Sequence, residues 1–77
     1  MLLHELPLEE QAYINQQVDE CRDHLQFAGV PFNAITVRRI RNSIIITGKL
    51  PSGKHDRWNV TWTNSPGLHQ VIRTHHF

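Results

Sequence analysis

Seventy-seven residues suffice for one domain, 1–77, and leave no room for a second. The single Cys21 excludes an internal disulfide framework, and no stretch approaches the roughly 20 apolar residues of a membrane-spanning helix. Net charge is only +1, yet Glu5, Glu9, Glu10, Asp19, Glu20 and Asp23 face Arg22 alone in residues 1–30, while Arg38, Arg39, Arg41, Lys49, Lys54, Arg57 and Arg73 face Asp56 alone in residues 31–77. That asymmetry points either to an anionic partner for the basic half or to acidic and basic surfaces that complement each other within one domain or between two copies.

Residues 1–10 lack a basic region and a continuous apolar stretch, so they are not read as a signal peptide and a cytoplasmic setting is expected, while residues 1–6 read as a short flexible tail. Pro7 suits the first turn of a helix, where its missing N–H is no loss, and Glu9 and Glu10 favour the positive end of the helix dipole. Ile14, Val18, Cys21, Leu25 and Ala28 then recur at spacings of three and four, which is one apolar stripe of an amphipathic helix. Tyr13 lies beside the stripe. Cys21 on the stripe reads as a small buried apolar residue. Gly29 is placed to cap the helix and Pro31 prevents its continuation.

Residues 34–50 hold two β-branched runs that meet at Asn42-Ser43, the pattern of a hairpin. Alternation puts Ile35 and Val37 on one face and Thr36, Arg38 and Ile40 on the other, so one face is buried and the other basic. Ile44-Ile45-Ile46 shows no period, as in a well-covered central strand or one packed on both sides. Gly48 marks a bulge or a close approach of the backbone to another element.

Pro51-Ser52-Gly53-Lys54 is a turn, after which residues 54–64 have two readings. As a helix, they would stack Trp58, Thr61 and Trp62 on one side. As a strand, Trp58, Val60 and Trp62 would alternate with Asn59 and Thr61, and local propensity favours this reading. Asn64-Ser65-Pro66-Gly67 is a second break. Leu68 to Thr74 reads as a final strand.

The residues Ile44-Ile45-Ile46-Thr47-Gly48, Pro51-Ser52, Asp56-Arg57, Val60-Thr61 and Pro66-Gly67-Leu68 through Val71 resemble the BON domain, named for bacterial osmotic-shock and nodulation proteins. The likeness runs from the striped helix to residue 74 through short, permissive motifs. It implies an α+β fold, a two-layer αββαβ sandwich in which a three-stranded mixed sheet is covered on one face by two helices, with residues 54–64 the second helix. A strand-helix-strand unit from Ile44 to Thr74 has the length of a right-handed crossover, which would set the last strand parallel to the second. The resemblance further implies a non-enzymatic module that contacts anionic phospholipid surfaces or a protein partner.

The residues themselves hold little chemistry. None of His4, His24, His55, His69, His75 and His76 pairs at helical i, i+4 spacing or sits near Cys21 at zinc-finger spacing, so no metal or cofactor is expected. No nucleophile motif and no paired carboxylates in an apolar setting occur, and Ser52-Gly53-Lys54 lacks the rest of a phosphate loop, so the chain is not read as an enzyme. The best candidates are Arg38, Arg39, Arg41 and Lys49 for contact with an anion or lipid headgroup, since Arg suits planar bidentate contacts with phosphate. Charges on an exposed strand also serve simply to prevent aggregation. Trp58 and Trp62 are expected as core or interface anchors, and a homodimer fits so small a core. The alternative function is RNA binding of the KH type through the basic hairpin, ranked lower because the Gly-x-x-Gly loop is missing.

Overall fold

The computed structural model describes residues 2–63 and 71–76. One helix, α1 (Leu8–Phe27), precedes four strands, β1 (Thr36–Ile40), β2 (Ser43–Lys49), β3 (His55–Trp62) and β4 (Val71–His76). The strands form one antiparallel sheet in the order β1-β2-β3-β4. The helix lies across the two central strands, so the molecule has two layers, and the second face of the sheet carries no described element.

The stripe behaves as its spacing requires. Ile14, Val18, Cys21 and Leu25 are buried against Ile44, Ile46, Val60 and Trp62, while Ala28, beyond the last turn, is exposed. Gly29 takes φ +105°, and Val30 N–H donates to Leu25 O across the turn, a Schellman-type closure that needs a residue without Cβ. The turn also delivers Val30 to the core, where it meets Gly48. A Cβ built on Gly48 would lie 2.8 Å from Val30 Cγ1, and the β2–β3 register runs through Gly48 opposite Asp56 without a bulge. Close approach is therefore the reason for this glycine.

The hairpin forms with Ile40 opposite Ser43, so Arg41-Asn42 is the turn. Asn42 does more than turn the chain. Its backbone O accepts from Trp62 N–H at 3.1 Å and its Nδ2 donates to Trp62 O at 3.2 Å, tying the turn to the end of β3.

Several expectations are corrected. The helix expected over 54–64 is replaced at residues 55–62 by strand β3, the sheet is four-stranded under one helix, and β4 runs antiparallel beside β3 instead of parallel to β2. The physical reason lies in which residues share a face. Trp58 and Trp62, four apart, coincide on a helix and on a strand alike. Asp56 and Val60 decide between the two, because on a helix they would point away from the tryptophans, whereas on a strand all four fall on the covered face. All four are buried or half-buried there, with Asp56 6% exposed and Trp62 2%. The αββαβ architecture implied by the BON likeness does not form.

Within the stretch expected to be a flexible tail, Leu6 is docked in the core. Leu3–Glu5 make a 3-10 turn, Leu6 is 4% exposed in the core, and Gln11 Nε2 donates to Leu6 O at 2.7 Å. The break at Asn64-Ser65-Pro66-Gly67 and the expected start of the last strand at Leu68 lie outside the described residues. The strand itself continues to His76, past Thr74 where it was expected to end.

Candidate functional site

Alternation along the strands distributes the candidate residues between the two faces of the sheet. On the open face, the register aligns Thr36, Thr47, Arg57 and His76 in one row across all four strands, and Arg38, Ile45, Asn59 and Thr74 in the next. These rows enclose an open concavity of about 490 Å³ that Arg38 and Arg57 line from opposite sides, with Ile45 and Thr47 between them and His55 and His76 at the margin. Among the described residues no Asp or Glu lies on this face, since the acid of β3, Asp56, points to the other. Arg38 and Arg57 are both exposed. Asn59 Oδ1 is buried with no partner among the described residues, and Asn59 Nδ2 stands 3.5 Å from His76 Nε2. Two guanidinium groups flanking a shallow depression are suited to a carboxylate or phosphate, each able to make planar paired contacts.

The expected cluster of cations does not gather. Arg38 alone of the three hairpin arginines reaches this concavity. Arg39 and Arg41 flank a separate hollow of about 210 Å³ whose apolar lining includes Leu2, Leu3, Ile40, Ile44 and Trp62. Lys49 is on the open face, opposite His55 and at the other end of the hairpin from Arg41. In its place the register supplies Arg57, His55 and His76 from β3 and β4, which hairpin reasoning missed. The available signal was that Arg57 follows Asp56 and precedes Trp58, so a strand reading would put it on the face away from the tryptophans.

The two tryptophans occupy the covered face. Trp62 is in the core. Trp58 stacks with two imidazoles, His24 of α1 at 5.0 Å and 17° and His75 of β4 at 3.9 Å and 7°. Arg73 reaches over the same ring at 5.5 Å and bonds Glu20 of α1 at 3.1 Å, so β4 is tied to the helix by an ion pair and to β3 by stacking. Asp56, opposite Gly48, is bonded to His75 Nε2. A buried carboxylate needs such a partner, and His75 provides it across the strand pair.

An imidazole bonded to a carboxylate is also a common catalytic pair; here the ring stacks on Trp58, and Cys21 is the one thiol of the chain. Cys21 is fully buried, and burial pushes its thiol up to about 11, opposed by the nearby Arg73 and assisted by Glu20. At neutral pH it is a protonated packing group rather than a nucleophile. Among the described residues no group of three His, Cys, Asp or Glu side chains is placed to hold a metal ion, and no helix is long and apolar enough to cross a membrane. Compared with known proteins, the chain matches no family model, no curated protein and no solved structure.

Proposed function

We propose that this chain is a non-enzymatic binding and assembly module whose open sheet face holds an anionic protein partner, with Arg38 and Arg57 making the ionic contacts. The observation that carries this reading is the convergence of Arg38 from β1 and Arg57 from β3 on one concavity with no carboxylate among its lining residues. A surface that needed charge only to stay in solution would mix both signs, as most surfaces do. Here the unopposed positive field raises the local concentration of anions and speeds encounter.

The rest of the face favours a protein over the other anionic partners. The aromatic rings that anchor proteins at a membrane interface are Trp and Tyr, and both Trp58 and Trp62 are on the covered face. The open face presents no Phe, Tyr or Trp among its described residues on which unpaired bases could stack, whereas hydroxyls from Thr36 and Thr47 stand beside the arginines. A peptide carrying Asp, Glu or phosphorylated side chains meets guanidinium and hydroxyl groups of that kind.

The test is a two-dimensional NMR titration of the labelled protein with an acidic peptide, with vesicles of anionic phospholipid and with short single-stranded RNA, each at low and high salt. Peptide-induced shifts on Arg38, Ile45, Thr47 and Arg57 that salt suppresses are expected. Shifts confined to the helix, or none with the peptide, would sink the reading. A response to vesicles or RNA alone would transfer the face to lipid or nucleic acid.

A further inference from the structure

Part of the acidic half and part of the basic half lie on opposite outer faces of the molecule, while Glu20 and Arg73 meet between helix and sheet. With about 100° per residue, Glu9, Gln16, Asp19, Asp23 and Phe27 of α1 lie on the side away from the buried stripe. All five are exposed. Because α1 rests on one face of the sheet, this ridge points in the direction opposite to the concavity between Arg38 and Arg57. Asp19 and Asp23 are one helical turn apart, about 6 Å along the axis, and Phe27 follows one turn later at 97% exposure. Asp23 and Phe27 border a common hollow. On the other side of the molecule, Arg38 and Arg57 stand on strands separated by β2, roughly 10 Å across the sheet. Apolar surface accompanies them, with Ile45 inside the concavity and Ile40 and Ile72 about half exposed farther along the same face.

The two outer faces are thus complementary in charge, the ridge acidic apart from Arg22, which lies 3.8 Å from Asp19, and the concavity basic. We infer that the partner of the open face is a second copy of this chain: the ridge of Asp19, Asp23 and Phe27 on one copy seats between Arg38 and Arg57 of the next, with Phe27 buried against the isoleucines. This partner assignment rests on the proposed role of the open face in holding an anionic protein. The contact joins two different surfaces, and a pair joined this way leaves one ridge and one concavity unused. Association therefore continues beyond the dimer into stacks. Exposed ion pairs are individually weak and screened by salt, so the stacks are reversible and dissolve as ionic strength rises.

Sedimentation velocity across a concentration series tests this. At low salt the average mass of the wild-type chain climbs past twice 9.0 kDa, and at high salt it returns to the monomer. Arg38→Glu with Arg57→Glu, and separately Asp19→Lys with Asp23→Lys, each weakens self-association by about tenfold or more, equivalent to about 1.4 kcal/mol. Circular dichroism confirms that both variants stay folded, since all four positions are exposed. An equimolar mixture of the two variants regains association, because each then offers the surface the other needs. A wild-type chain that stays monomeric at low salt, a one-sided reversal without effect, or a mixture that fails to recover would each overturn the inference. The acidic-peptide titration separates the two levels of the argument. A monomeric chain that still binds the peptide at Arg38 and Arg57 loses only the self-association, and a monomeric chain that ignores it loses the anion-binding role as well.

Discussion

The two faces of the sheet are built from the same four strands by alternate residues, yet they do opposite work. On β2, Ile44, Ile46 and Gly48 face the helix while Ser43, Ile45, Thr47 and Lys49 face outward. On β3, Val60 and Trp62 complete the core while Arg57, Asn59 and Thr61 face outward. The covered face gains its free energy by removing apolar area from water, at about 25 cal/mol per Å². The open face gains little from folding, and its Arg38 and Arg57 remain solvated. If the open face binds as proposed, stability and binding fall to different residues one position apart, and substitutions on the two faces should have separable effects.

The largest effect expected is at Trp62, where truncation to Ala removes the largest side chain of the core. A loss of about 3–5 kcal/mol is expected, enough to unfold much of a domain this small. Urea denaturation measures it, and a loss below about 1 kcal/mol would mean that the covered face is not the source of stability.

Next in size is a pH effect within the same core. Cys21 titrates near 9.0 when free and about 11 when folded, because burial disfavours the thiolate. The folded state therefore holds its proton longer than the unfolded state, and stability falls as pH rises. The contribution is intact below pH 9 and lost as pH climbs through about 11, amounting to ~3 kcal/mol. Tyr13 and the lysines also ionise at alkaline pH, so the quantity to measure is the difference between wild type and Cys21→Ala. That difference should shrink from pH 9 to pH 11, and a constant difference would show that the thiol does not ionise on unfolding.

Gly48→Ala should cost about 1–3 kcal/mol, since the new Cβ falls 2.8 Å from Val30 Cγ1 at a point where neither strand nor turn can yield freely. The comparison with Val30→Ala in the same background sharpens this. If steric conflict is the cause, the double variant should lose less stability than the two single variants added together.

How far the sequence discloses these faces depends on how local the deciding information is. The helix is legible because Ile14, Val18, Cys21 and Leu25 repeat within one element, and its end is legible because Gly29 and Pro31 act on their own backbone. The β1–β2 hairpin is legible for the same reason: Ile35 and Val37 separate from Thr36 and Arg38 by simple alternation, and the turn is two residues long. Residues 55–62 are harder, because the spacing of Trp58 and Trp62 satisfies both periods. There the local strand propensity points correctly, and the resemblance that replaced it with a helix points away from the structure.

The site is less legible still. Arg38, Arg39 and Arg41 are neighbours in sequence and are split between two hollows by the pleat. Arg38, Arg57 and His76 are far apart in sequence and are brought together by two strand registers. Likewise His75 lies past the expected end of the last strand at Thr74 until β4 is paired with β3, when it becomes the partner of buried Asp56. Burial of a carboxylate cannot be inferred from a lone Asp between His55 and Arg57.

The smallest effect on stability is the sharpest test of the comparison between faces. Arg57→Ala removes a guanidinium that is exposed on the open face and has no carboxylate beside it there, so its folding free energy should stay within about 0.5 kcal/mol of wild type. Removing like charge from beside Arg38 even relieves some repulsion, which sets the sign of any change toward greater stability. Affinity for an acidic peptide should nevertheless fall severalfold, because a single guanidinium no longer closes on the ligand from both sides of the concavity. Denaturation and titration of the one variant therefore measure the two faces independently. A variant that loses both stability and affinity would show that Arg57 supports the fold, and the division of labour between alternate residues of β3 would have to be abandoned.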